Sequence, residues 1–191
     1  MIASKTEMFN QILLRLGEKR VSSWEGTEDR VVVLRGFFNH AVDEVLKEYL
    51  WICATSRAVL AQLPDTNLTQ YDYVYQLPSD CITVQSLIDV YGETYADVED
   101  VYLIEGRRLY TDLESAGIKY TTNNVEVTEL DTYVAEAIVL KVAAKSAFTI
   151  TKDITLEADM YVQYKEALNI AKSADGIERI NRTVSQELWT D

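Results

Sequence analysis

Apolar residues near the start of the chain recur every three or four positions, which predicts an amphipathic helix. Phe9, Ile12 and Leu16 fall on one face at this spacing. Ser4 and Glu7 stand three positions apart, as in a capping box whose serine accepts a hydrogen bond from the first turn. We therefore expect a first helix that begins at Ser4 and ends near Leu16.

Three more segments carry the helical period. The second helix is predicted over residues 28–50 with Thr27 as its N-cap, and it is apolar on more than one side, so we expect it to lie centrally. The third is predicted over residues 131–149 and the fourth over residues 156–173. Gly176 is placed to end the fourth helix, because glycine readily adopts the left-handed conformation that follows many helices.

The middle of the chain, residues 51–127, has the two-residue period of strands instead. Apolar and polar residues alternate from Tyr71 to Leu77, and Pro78 interrupts the run because it cannot donate a backbone hydrogen bond. A second strand resumes directly afterwards, in CITVQSLIDVY. In VYLIEGRRLYTD, Gly106 lies between two apolar arms, which predicts a hairpin.

These elements predict an α+β fold. We expect a four-helix bundle built from both ends of the chain, with a small antiparallel β insertion between helices 2 and 3 and an extended C-terminal arm. The predicted domains are residues 1–50 as the first half of the bundle, 51–128 as the inserted β region, 129–176 as the second half and 177–191 as the arm.

Composition narrows the classes of function. The 191 residues carry 18 basic and 31 acidic side chains, a formal net charge of −13, which disfavours a protein that grips phosphates. No apolar run approaches the roughly 20 residues that cross a bilayer, and the start lacks the apolar core of a secretory signal, so we expect a cytosolic protein without a membrane partner. Cys53 and Cys81 stand among apolar neighbours and are interpreted as core residues.

Candidate chemistry is sparse. The single histidine, His40, has no metal-binding or nucleophile motif beside it, and no phosphate-binding glycine loop occurs, so we predict no enzyme, no cofactor and no metal. Glu93, Asp97, Glu99 and Asp100 form an acidic cluster. We interpret it as a solvated loop, although two carboxylates are all that a glycosidase needs. A virion-associated peptidoglycan-cleaving enzyme and an acidic protein-binding module therefore stay open as alternatives.

The order of several motifs resembles the head-to-tail adaptor family of tailed bacteriophages, often called tail tubular protein A or head-completion adaptors. An aromatic residue closes a long helix before a strand that contains alanine and arginine. A leucine-proline-x-aspartate corner ends an aromatic-rich strand, and a glycine turn precedes leucine, tyrosine, threonine and aspartate. The penultimate helix is rich in alanine, and the last helix has an AxxYxxALxxAK-like pattern. The residues are Trp51, Ala54 and Arg57; Leu77, Pro78, Asp80, Cys81 and Val84; Gly106, Leu109, Tyr110, Thr111 and Asp112; Tyr120; and Ala158, Tyr161, Tyr164, Ala167, Leu168, Ala171 and Lys172.

The resemblance implies a structural virion protein. Such an adaptor forms a ring of twelve subunits beneath the portal protein, extends the DNA channel and offers a platform for the tail or nozzle protein. It would be located in the neck of the virion, and in the host cytoplasm during assembly. DNA would pass through the lumen without specific binding, which suits an acidic chain because like charges repel.

The resemblance also implies roles for particular residues. The arm would dock on the portal, with Asn181 at its start and Leu188 and Trp189 as apolar anchors. Leu77, Pro78 and Asp80 would form a structural corner, in which proline sets the turn and aspartate accepts nearby hydrogen bonds.

Overall fold

The computed structural model describes residue 2 and residues 4–64, 69–88 and 102–187, and for 181–187 it describes the backbone only. The chain divides into two compact units. Met1–Cys53 and Val125–Asp191 form the helical unit, and Ala54–Asn124 form the strand unit. A 3₁₀ turn spans Ile52–Ala54.

The first helix, α1, spans Lys5–Arg15 and confirms the predicted cap. The Ser4 side chain accepts a hydrogen bond from the Glu7 backbone N–H at 3.1 Å. Gly17 follows the helix with φ of +72°, the left-handed conformation that glycine adopts without steric cost. The predicted apolar face is buried, which fixes which side of α1 packs inward.

The second helix, α2, spans Asp29–Lys47. Its N-cap is Glu28, which makes no side-chain capping bond, so the prediction of Thr27 as the cap is wrong by one residue. Val31, Leu34 and Val45 are fully buried, but other positions of α2 face solvent. The expectation that this helix lies at the centre is therefore wrong.

The central helix is α3, which spans Thr132–Thr151 and begins after an Asp131 cap. The main packing partner of α1, α2 and α4 is in each case α3, and its small side chains are buried nearly all round. Arg15 of α1 donates to Glu136 of α3 at 2.6 Å. Only its ends reach solvent, where Tyr133 and Phe148 are half-exposed.

The last helix, α4, spans Ile154–Glu187 without a break, so the prediction that Gly176 ends it is wrong. An interior glycine costs a helix about 1 kcal/mol relative to alanine. Tertiary contacts offset this cost, because Asp175 is buried and the Arg179 guanidinium lies over the Tyr49 ring, 5.8 Å from its centroid. Local sequence favours a stop at Gly176, and tertiary contacts override it.

The strand unit contains two antiparallel sheets with strand orders β1-β7-β4 and β2-β3-β6-β5. The strands are β1 Thr55–Val59, β2 Ala61–Gln62, β3 Tyr73–Gln76, β4 Cys81–Ile88, β5 Tyr102–Glu105, β6 Arg108–Thr111 and β7 Gly117–Thr122. The predicted hairpin is confirmed as β5–β6, with Gly106 at φ of +61°. Tyr75, Leu87 and Ile118 lie at the centre of the buried cluster.

The predicted architecture, a four-helix bundle with a small β insertion and an extended arm, is wrong. The middle of the chain forms sheets of three and four strands, which is too much structure for a small insertion. The other three helices each pack chiefly on α3. Residues 177–187, assigned to the extended arm, continue α4 as helix. The predicted α+β class is confirmed, since the strands of two antiparallel sheets lie between α2 and α3 in the sequence.

Candidate functional site

The predicted corner is a tight turn between β3 of one sheet and β4 of the other. The Cys81 N–H donates to the Pro78 carbonyl at 3.0 Å and closes the turn. Leu77, immediately before the proline, is buried in the core of the strand unit. The corner therefore places an apolar side chain in the core directly before its proline.

Asp80 ties this turn to β7. Its carboxylate accepts hydrogen bonds from the Thr122 hydroxyl at 2.6 Å and from the Tyr120 hydroxyl at 3.2 Å. Its backbone carbonyl accepts from the Asn123 N–H at 3.0 Å. Both side-chain donors belong to β7, the central strand of the three-stranded sheet, so one carboxylate holds the turn to that sheet.

Arg107 ties the same turn to the other sheet. It lies in the β5–β6 turn, where its carbonyl accepts from the Leu77 N–H at 3.0 Å and its guanidinium donates to the Pro78 carbonyl. We call the five residues Leu77, Pro78, Asp80, Arg107 and Thr122 the corner clamp. Because its two sides reach different sheets, the corner clamp links both sheets through the chain segment that joins β3 to β4.

The electrostatics of the corner clamp favour a fixed anion. The hydrogen bond from Thr122 is the largest effect that lowers the pKa of Asp80, and Tyr120 and Arg107 act in the same direction against the opposing effect of burial. Burial raises the pKa of the Tyr120 hydroxyl, so that side chain remains a neutral donor. A depressed carboxyl pKa and a neutral donor suit a permanent hydrogen bond better than proton transfer.

The helical unit has a comparable anchor, which the sequence reading missed. Trp51 is fully buried, and its indole N–H donates to the Val45 carbonyl at 2.8 Å. Asp175 of α4 accepts from the Ile52 N–H and from Arg179, each at 2.8 Å. The spacing of an aspartate four residues before an arginine was the available signal, but such pairs occur on many exposed helices.

A charged cluster joins α2 to α3. The Glu44 carboxylate lies 3.0 Å from the Lys141 ammonium, 2.8 Å from that of Lys145 and 2.8 Å from the His40 ring. Burial acts to raise the pKa of Glu44, but the hydrogen bonds from Lys145 and Lys141 outweigh it and lower the pKa. His40 is largely exposed beside this carboxylate. The cluster is an ion-pair network between two packed helices.

No family model matches the chain, and no curated protein matches it.

Some of the predicted site residues lie outside the described part of the chain, or have only their backbone described. Leu188 and Trp189 of the predicted arm are outside the described residues, and Asn181 lies on α4 with only its backbone described. The acidic cluster over residues 93–100 is also outside them. Among the residues that are described, no group of three histidine, cysteine or carboxylate side chains could hold a metal ion, and no helix is long and apolar enough to span a bilayer.

Proposed function

We propose that this chain is a head-to-tail adaptor of a tailed bacteriophage. In this role it is a structural virion protein that forms a ring of twelve copies beneath the portal, extends the DNA channel and supports the tail or nozzle protein. It acts by assembly and has no catalytic turnover. The proposal starts from the order of motifs in the sequence, and two features of the described residues and the charge of the chain support it.

The observation that carries the proposal is the coincidence of motif and corner clamp. Leu77, Pro78 and Asp80 are the residues on which the resemblance is most specific. They are also the residues whose hydrogen bonds tie the two sheets together. A motif whose hydrogen bonds hold backbone in place specifies a shape, and a constant shape is what a subunit of a closed ring requires.

The second supporting feature is the length of α4. Its 34 residues make a helix of about 51 Å, against about 30 Å for the 20 residues of α3 that precede it in the hairpin. The link between the two helices is two residues long, so they run antiparallel and the far end of α4 extends past the start of α3. A helix that extends beyond the helix it packs on can present the residues at its end to another protein.

The third feature is charge. A net charge of −13 over 191 residues gives a surface that repels the phosphate backbone. A channel wall must let DNA slide, and each phosphate held by a lysine or arginine would add to its retention. We assign the lumen to acidic side chains for this reason.

Truncation tests the portal contact. A chain that ends before Asn181 should lose co-sedimentation with the portal of the phage that encodes it, because Leu188 and Trp189 are removed. The matched control is Ile154→Ala at the opposite end of α4, where the side chain is 71% exposed and its loss should leave binding unchanged. Portal binding that survives the truncation undiminished would rule out the portal contact assigned to Leu188 and Trp189.

A further inference from the structure

A groove of about 360 Å³ lies between α3 and the first turns of α4. The apolar part of its wall comes from Ile154 and Tyr161 of α4, with Ala144 and Ala158 between them. Ile154 is 71% exposed and Tyr161 46%, so large apolar side chains in the groove are open to water. A concave site of this size with an apolar wall and a few polar groups is typical of binding sites. We call it the α3–α4 groove.

The polar wall of the α3–α4 groove carries two ammonium groups that share one carboxylate. Lys141 and Lys145 line the groove, and their ammonium groups lie 3.0 Å and 2.8 Å from the carboxylate of Glu44. A single carboxylate neutralises only one of these two charges. An ammonium group has three N–H donors, and Lys145 directs one of them to Glu44, so it can donate to a further acceptor in the groove.

Aromatic rings hold the positive charges beside the groove. The Lys141 ammonium lies over the Tyr164 ring, 4.4 Å from its centroid. The ammonium of Lys165 lies over the ring of Tyr161, which itself lines the groove, at 4.8 Å. Contacts of a cation with the face of a ring are attractive, so these ammonium groups are already positioned before any partner arrives.

The charge balance of the α3–α4 groove differs from that of the chain. Among the described residues that line it, Glu157 is the only carboxylate, and its side chain is exposed. The ammonium groups of Lys141, Lys145 and Lys165 therefore stand against the carboxylates of Glu44 and Glu157, which leaves one positive charge in surplus. The chain as a whole has a net charge of −13.

We propose that the α3–α4 groove binds an acidic segment of a partner protein that also carries a large apolar side chain. The apolar side chain packs on Ile154 and Tyr161, and a carboxylate of the segment accepts from the lysine wall. Charge complementarity decides this occupant, because the surplus ammonium group attracts an acidic segment and repels a basic one. The inference does not depend on the adaptor role, since the portal contact was assigned to the opposite end of α4.

Fluorescence anisotropy of labelled peptides with the full chain tests the chemistry of the occupant. The probe is a fluorescein-labelled hexapeptide in which glutamates flank two leucines, and matched probes exchange the glutamates for glutamines or lysines, or the leucines for glycines. We expect the glutamate–leucine probe to bind most tightly and to weaken as salt is added, because ions screen the lysine contacts. Equal affinity for the glutamate and glutamine probes, or no binding of the glutamate–leucine probe at its highest soluble concentration, would overturn the proposal.

Two substitutions with effects of opposite sign locate the site. Lys145→Gln should weaken binding of the glutamate–leucine probe by about twofold to fivefold, because it removes one ammonium group from the polar wall. Glu157→Gln should strengthen binding, since it removes a carboxylate that repels the probe. The matched control is Lys172→Gln, because Lys172 also lies on α4 and pairs with a glutamate of α2, Glu48 at 3.6 Å, but does not line the groove.

The control variant should bind the probe as the parent chain does. Equal weakening by Lys145→Gln and Lys172→Gln would show that the probe responds to the overall charge of the helices, and would contradict binding in the groove. Urea denaturation of each variant shows whether it remains folded. Self-association of the chain that Lys145→Gln abolishes, without binding of any probe, would overturn the choice of a partner protein and assign the groove to a second copy.

Discussion

The packing around α3 and the corner clamp of the strand unit hold structure in place by different means. In the helical unit, α3 is buried among α1, α2 and α4, and small apolar side chains set the distances. In the strand unit, the apolar core is accompanied by a polar corner clamp, in which Asp80 reaches one sheet and Arg107 the other. We therefore expect the packing around α3 to tolerate exchange of one apolar residue for another, whereas the corner depends on particular atoms.

The largest expected effect comes from a cavity in α3. Ile138 is fully buried, and Ile138→Ala should lower the free energy of unfolding by about 2–5 kcal/mol because it removes packed methyl groups from the centre of the helical unit. Urea denaturation followed by circular dichroism measures this. Tyr133→Ala on the same helix is the control, since that side chain is half-exposed and should cost far less. Equal losses in the two variants would contradict the central place of α3.

A smaller loss is expected at the corner clamp. Asp80→Ala removes the acceptor of two hydroxyl hydrogen bonds and should cost about 1–2 kcal/mol. The neighbouring Ser79 is exposed, and Ser79→Ala should be nearly neutral. If both variants unfold at the same urea concentration as the parent chain, Asp80 does not hold the corner.

Replacing one glycine in each unit by alanine should change the stability in opposite directions. Gly176→Ala should stabilise the chain by about 0.5–1 kcal/mol, because the new methyl would lie 3.8 Å from the Tyr49 hydroxyl in ordinary contact and alanine favours helix. Gly106→Ala should destabilise it by about 1 kcal/mol, since φ is +61° in that turn. Thermal denaturation of both variants checks the signs. A loss of stability in Gly176→Ala would mean that α4 does not continue as helix through that residue.

The smallest expected effect is a pH dependence. The pKa of Asp80 is lower in the folded chain than its ordinary value, so its contribution is complete above about pH 4 and is lost as the pH falls through the folded pKa. Asp80→Asn lacks this carboxylate, and its deficit relative to the parent should be larger at about pH 7 than at about pH 3. Urea midpoints at the two pH values give the comparison, and a constant deficit would contradict the ionised hydrogen bond.

Local pattern predicted the elements whose signals are local. Sequence predicts three such features, because each depends on a few neighbouring residues: the Ser4 cap, the Gly106 hairpin and the break at Pro78. The corner was identified as structural from Leu77, Pro78 and Asp80, but its partners Arg107 and Thr122 lie far along the chain. A local sequence pattern does not predict which distant hydroxyl donates a hydrogen bond to a given carboxylate.

Long-range packing accounts for the errors. Gly176 lowers helix propensity, and the continuation of α4 is favoured by the burial of Asp175 near Ile52 and by the contact of Arg179 with the Tyr49 ring. The apolar pattern of the sequence does not indicate the central position of α3, for a related reason. Alanines give a weak hydrophobic signal, yet they let neighbouring helices approach closely enough to bury the whole circumference. The split into two sheets follows from strand order, which periodicity does not encode.

Negative-stain electron microscopy of the chain mixed with a candidate phage portal protein tests the adaptor proposal most directly. We predict portal rings that carry an added ring of this protein on one face, coaxial with the portal channel. Portal rings without added density, with the chain left free at saturating concentration, would contradict it.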